Sequence, residues 1–201
     1  AVGLNYADHV AESKMVTPTT PLVFTKFPSC IVGPNADVEL RSAHADYEVE
    51  LVVVIGRGGR DIAAGAAWDH VLGLTAGQDI SDRALQFAAK PPHFDLGKSR
   101  DTYGPLGPTL VSPDMFADPT DLALTCAING EVRQNSRTSN MIFSVADQIA
   151  YLSSIMTLAP GDIIFTGTPD GVGGPNGIFL QPGDVITSWV EGIGTLTNRC
   201  V

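Results

Sequence analysis

Glu48 and Glu50 stand two residues apart at the head of the apolar run Leu51-Val52-Val53-Val54-Ile55. The segment 46–55 reads as a strand that starts in carboxylates and ends wholly apolar. Side chains alternate along a strand, so the two glutamates share one face a few ångströms apart. Strands disfavour Glu and like charges repel, so folding alone does not ask for such a pair. A hard divalent cation, which takes oxygen ligands, resolves the repulsion. A solvated face of an edge strand is the alternative.

A metal site calls for a third carboxylate. Asp79 follows the apolar run 71–76, at the end of an expected strand and the start of an expected helix. It reads equally as a ligand or as the cap of that helix. Arg83, four residues on, would project from the first helical turn towards the same place. His9 and Glu12 are spaced by three residues, which puts them on one face of a helix. There the carboxylate can accept an imidazole N–H and leave the other ring nitrogen as a base, an arrangement suited to activating water. An ordinary exposed pair has the same spacing. Lys98 lies in a loop bounded by Gly97, Gly104 and Pro105 and belongs to a set of only four lysines. It is a candidate for stabilising an enolate or binding a carboxylate, and a surface lysine would look no different. In Thr166-Gly167-Thr168-Pro169 the backbone amides and a threonine hydroxyl offer a cradle for a carboxylate or oxyanion. The spacing matches no P-loop or dinucleotide turn. His44, His70 and His93 have no motif around them and read as structural or surface residues.

The elements that must position these residues are mostly strands. The segment 122–128 alternates and runs into Asn129-Gly130, with 131–133 returning as a hairpin. Pro160-Gly161-Asp162 and Pro182-Gly183-Asp184 are turns that each feed a β-branched strand. Helical signals are short, at 5–13, 61–69 and 81–89. The best is 145–155, with Ser144 as N-cap, Asp147 in the first turn and an apolar stripe of Val145, Ile149, Leu152 and Ile155. These features predict one β-rich domain over 1–201 with a few short peripheral helices. Its size allows one well-buried core, and 21 glycines and 14 prolines make it turn-rich. A net charge of −10 argues against nucleic acid or an anionic membrane as partner, though not against a small anionic substrate. The three cysteines are far apart and outside any CxxC pattern, and Cys126 alternates with apolar neighbours as a buried residue would. No signal peptide or membrane-length apolar run is visible, so the cytoplasm is the expected compartment.

Taken in order, several blocks resemble the fumarylacetoacetate hydrolase family: GLNYADHVAES (3–13), DYEVELVVVIGRGGRDI (46–62), GQDISDR (77–83), GKSRDTYGPLGP (97–108) and the long block from 139 to 173 that contains TGTP. The resemblance covers nearly the whole chain. It implies a rolled mixed β-sheet, a homodimer, and Mg²⁺, with Mn²⁺ or Ca²⁺ as substitutes, on Glu48, Glu50 and Asp79. It also implies a lid helix carrying His9 and Glu12, a pocket lined by Lys98 and Arg83, and substrate contact from Gly167 and Thr168. Only Ala1-Val2 precede the GLNY block, where the family commonly carries a further N-terminal segment.

The implied substrates are small anionic 2-oxo acids. Cleavage of a C–C bond in an acylpyruvate or fumarylpyruvate, releasing pyruvate through a stabilised enolate, is the leading expectation, with His9, Glu12 and Lys98 as catalytic residues. Oxaloacetate decarboxylation or isomerisation of a 2-hydroxydienoate is the alternative on the same site. A non-catalytic metal-binding scaffold is a third reading. Residues 14–26, next to the lid, are the expected place for reading the distal end of the substrate.

Overall fold

A computed structural model describes all residues 1–201. The elements run β1 (Val2–Gly3), α1 (Ala7–Ser13), β2 (Leu22–Val23), β3 (Ile31–Val32), β4 (Ala45–Asp46), β5 (Val49–Ile55) and β6 (Val71–Gln78). They continue with β7 (Ser81–Asp82), α2 (Arg83–Gln86), α3 (Phe94–Gly97), β8 (Gly104–Val111), β9 (Ala123–Ile128) and β10 (Glu131–Arg137). The last are α4 (Val145–Ile155), β11 (Ile163–Phe165), β12 (Val185–Val190) and β13 (Gly194–Arg199). The fold is mostly β. A curled five-stranded sheet has the order β11-β5-β6-β8-β3, and a four-stranded sheet the order β10-β9-β12-β13. The first is mixed, because β3 runs parallel to β8 while its other pairs are antiparallel. The core lies between the two sheets and under α4.

Strand parity decides what faces that core. Val49, Leu51, Val53 and Ile55 join it, so Glu48 and Glu50 necessarily face the other side of the sheet. Register then fixes the third carboxylate. Val49 pairs with Gln78 and Glu50 with Gly77, so Asp79 falls opposite Glu48, where its N–H donates to the Glu48 carbonyl at 2.9 Å. Two buried glutamines hold this strand start in place. Gln78 Oε1 accepts the Glu48 N–H and Gln134 Oε1 accepts the Val49 N–H, each at 2.9 Å. Gln134 reaches inward from β10 beside a bulge between Val132 and Gln134, a device that re-aims side chains. Its Nε2 donates to Thr168 Oγ1 and to the Pro169 carbonyl.

The hairpin at Asn129-Gly130 and the strands after both Pro-Gly-Asp turns form as the sequence predicts. So does the helix at Val145–Ile155, whose Ser144 and Asp147 make a reciprocal capping box. Other helical expectations shrink. The segment expected at 61–69 is a 3-10 helix, Ala64–His70, whose approach is pinned to α4 by the Asp61 N–H to the Ser153 carbonyl. The helix expected at 81–89 is only Arg83–Gln86, with Phe87 as its C-cap. Its cap is Asp82, which accepts the Leu85 N–H, so Asp79 is free of that duty.

Replacing Gln134 by Leu should strand the Val49 N–H and remove the donor to Thr168 Oγ1 and the Pro169 carbonyl, costing about 1–3 kcal/mol for each buried group left unpaired. Urea unfolding should show this as a lower midpoint with unchanged slope.

Candidate metal centre and catalytic cavity

Glu48, Glu50 and Asp79 are all buried and can each present an oxygen within 4.8 Å of the others. Cations surround two of the three. Lys98 Nζ donates to Glu48 Oε2 at 2.7 Å, Asp79 Oδ2 at 2.7 Å and Ser81 Oγ at 2.8 Å. Lys26 Nζ donates to Asp79 Oδ1 at 2.7 Å, to the Tyr103 carbonyl at 2.9 Å and to the Lys98 carbonyl. Arg83 donates from NH2 to Glu48 Oε1 at 2.6 Å and from Nε to Asp46 Oδ2 at 2.8 Å. Glu50 has no cation; its Oε2 accepts the Gly167 N–H at 2.8 Å.

The electrostatics follow from that asymmetry. Burial works to raise the Glu48 carboxyl, but Lys98 and Arg83 outweigh it and hold the group down at about 2. Burial, then the charges of Asp79 and Glu48, push Glu50 well above the ordinary carboxylate value. Burial opposes the charge on Lys98, and Asp79 and Glu48 reverse this and raise it. With Glu50 protonated, Asp46, Glu48 and Asp79 balance Lys26, Arg83 and Lys98; once Glu50 ionises, as a metal ligand must, the carboxylates outnumber the cations by one. A divalent ion turns that balance positive, and hard oxygen donors are the chemistry of Mg²⁺ and Mn²⁺. The residues present fit such an ion.

A cavity of about 630 Å³ opens over this cluster, with Glu48, Glu50, Arg83, Lys98 and Thr168 in its lining. The α1 helix crosses it and contributes His9 and Glu12. His9 is buried, and its Nδ1 lies 3.6 Å from Glu12 Oε2, an ion-pair distance longer than a hydrogen bond. Glu12 Oε2 also accepts the Gly171 N–H at 3.1 Å, tying the helix to the loop after TGTP. Gly171 has φ +93, and a Cβ there would come within 1.9 Å of the Arg133 carbonyl, so only glycine fits.

Every residue singled out from the sequence therefore meets at one place, though some groups are already engaged. The Gly167 N–H holds Glu50, and the Thr168 hydroxyl donates to the Val49 carbonyl at 2.9 Å. Arg83 Nη1 donates to Gln86 Oε1 at 3.0 Å, so each nitrogen of the guanidinium has a protein partner. The sequence reading missed Lys26, Asp46 and Gln86. The signal for Lys26 was a lysine within the apolar segment Val23-Phe24-Thr25-Lys26-Phe27, in a chain with so few lysines. Part of the segment expected to read the distal end of the substrate also lines the cavity. Of residues 14–26, Lys14 and Met15 line the cavity, while Phe24 and Lys26 pack against Lys98 and Asp79 without lining it; Phe87, Phe94, Pro175 and Phe179 are among the other lining residues.

Glu50 gives a pH test. Its raised value means that the folded apoprotein holds a proton that the unfolded chain has released. Stability therefore falls as pH rises from the ordinary carboxylate value through the raised one. Glu50→Gln should raise the melting temperature of metal-free protein at neutral to alkaline pH. It should also abolish the stabilisation that Mn²⁺ gives wild type and the proton release measured calorimetrically on Mn²⁺ binding.

The family model described as fumarylacetoacetate (FAA) hydrolase C-terminal matches residues 1–201. A mitochondrial oxaloacetate tautomerase, FAHD2A from Bos taurus, is 45% identical over 100% of this chain and 65% of its own length. The chain thus spans about two thirds of that relative. Among solved structures, 5-carboxymethyl-2-hydroxymuconate delta-isomerase from Mycobacterium smegmatis is 40% identical with a TM-score of 0.87, covering 100% of this chain and 76% of that one. Fumarylpyruvate hydrolase from Pseudomonas aeruginosa, in complex with Mn²⁺ and pyruvate, is 34% identical with a TM-score of 0.91, covering 100% and 87%. Sequence match and shared architecture together place this chain in the fumarylacetoacetate hydrolase family, as its C-terminal catalytic domain.

Proposed function

We propose that the chain is a metal-dependent enzyme acting on a small 2-oxo acid by proton transfer at the carbon beside the oxo group, as a tautomerase or isomerase. The observation that carries this is one cavity lined by Glu48, Glu50, Lys98 and His9, with the fully buried Asp79 within 4.8 Å of the two glutamates to complete the carboxylate cluster. A bound Mg²⁺ or Mn²⁺ would supply Lewis acidity, making negative charge on the 2-oxo oxygen easier to bear. Glu48, Glu50 and Asp79 would hold it. Lys98 adds positive charge where the enolate oxygen develops. His9 takes or returns the proton through Nε2, the nitrogen not turned towards Glu12. Glu12 fixes the orientation of α1 through Gly171 as well as facing His9. Burial of the cluster keeps bulk water from competing with the proton transfer.

The sequence alone puts C–C hydrolysis first; the tautomerase and isomerase relatives favour proton transfer. Hydrolysis remains the second reading because His9 and Glu12 are paired and a fumarylpyruvate hydrolase shares the fold at 34% identity. It needs a water between His9 and the distal carbonyl, and proton transfer does not. We read the chain as one domain that pairs as a homodimer. The cytoplasmic expectation from sequence stands beside a relative that is named mitochondrial, and no helix here is long and apolar enough to cross a membrane.

Enol-to-keto conversion of oxaloacetate, followed by ultraviolet absorbance with Mg²⁺, should be accelerated, stop with EDTA and return with Mg²⁺ or Mn²⁺. His9→Ala should lower the rate by about 10²-fold or more. Pyruvate and a carboxylic acid from acetylpyruvate or fumarylpyruvate, with no effect on tautomerisation, would instead establish the hydrolase.

A further inference from the structure

The cavity has two chemically different ends. One is the charged pole just described. From that pole an aromatic row leads outward. The Lys98 ammonium lies 5.0 Å from the centre of the Phe24 ring. Phe24 meets Phe94 edge-on at 5.8 Å, and Phe94 meets Phe87 edge-on at 5.9 Å. Phe94 and Phe87 both line the cavity, and Phe179 and Met15 belong to the same lining. Phe87 follows α2 one turn after Arg83, so the pole and the aromatic wall are built from one helical face.

Two observations indicate what this end is for. Phe87 is 48% exposed and Met15 is 44% exposed, so neither serves the protein's own core. The end also has little charge to offer a second carboxylate. Arg83 and Lys98 are committed to Asp46, Glu48, Asp79, Ser81 and Gln86, which leaves Lys14 at the end of α1 as the one cation without such contacts in the lining. A four-carbon diacid would leave much of the 630 Å³ unfilled.

We propose that Phe87, Phe94 and Phe179 form a distal subsite that selects 2-oxo acids bearing an uncharged, extended apolar or aryl substituent. This rests on the 2-oxo acid reading above and names the substrate class of that site. The substituent leaves water along the aromatic row while its 2-oxo carboxylate end stays at the charged pole. Burying an aryl group in place of a methyl group should tighten binding by about tenfold or more.

The test is calorimetric binding to Mg²⁺-loaded protein of four probes: oxalate, acetylpyruvate, a 4-aryl-2,4-dioxobutanoate and oxaloacetate. The proposal expects the aryl compound to bind about tenfold or more tighter than acetylpyruvate. Phe87→Ala and Phe179→Ala should each erode that difference while oxalate affinity stays unchanged. Equal affinity for aryl and methyl compounds, with oxalate still bound, would overturn the subsite and leave the 2-oxo acid reading intact. Tighter binding of oxaloacetate that Lys14→Met weakens would overturn it too, since the distal end would then read charge. Failure of oxalate to bind would overturn both readings.

Discussion

Three carboxylates are buried together on one face of a β-sheet, and the rest of the architecture answers the repulsion between them. At a separation of 4.8 Å or less and without bulk water, such charges cost several kcal/mol unless opposite charge is supplied. Lys26, Lys98 and Arg83 supply part of it. Each comes from a different segment: the stretch after β2, the end of α3 and the start of α2. The cluster therefore joins segments that have few other reasons to meet. Glu50, left without a cation, is where the compensation stops short, and a divalent ion is the group that completes it.

The folding of this centre is a matter of parity and register. The β-branched run that anchors the core makes β5 a strand and forces the glutamates outward. Antiparallel pairing with β6 sets Asp79 across from Glu48 and puts Gly77, which has no side chain, across from Glu50. Gln78 and Gln134 bind consecutive backbone N–H groups at the strand start, linking it to β12 through Ser188 and to the TGTP loop through Thr168. Rigidity at the pole contrasts with the mouth, where α1 is held to the opposite loop mainly through Glu12 and Gly171. Such a division suits a site that must fix an ion while admitting and releasing a substrate.

The parts of this arrangement that are local in sequence could be read from it. The Glu-x-Glu alternation, the Asn129-Gly130 turn and the Ser144 cap each carry their physical reason within a few residues. The His9–Glu12 spacing likewise brought the two side chains to one helix face. Long-range pairings left weaker marks. Lys26 reaches Asp79 across 53 positions, and only its place among apolar neighbours hinted at burial. Arg83 lines the cavity as expected of a pocket residue, but its bonds to Asp46 and Glu48 join distant segments and left no mark in the sequence. The aromatic lining was not legible, since Phe87, Phe94 and Phe179 share no spacing and reach one cavity from the end of α2, the start of α3 and the segment before β12.

The whole arrangement turns on Glu48, Glu50 and Asp79 holding one divalent ion together. The most direct measurement is anomalous diffraction at the manganese edge from crystals of the protein soaked in Mn²⁺. A single strong peak is expected among these three carboxylates, about 2.0–2.3 Å from an oxygen of each. A peak elsewhere, or none at this position under conditions where the protein is active, would contradict it.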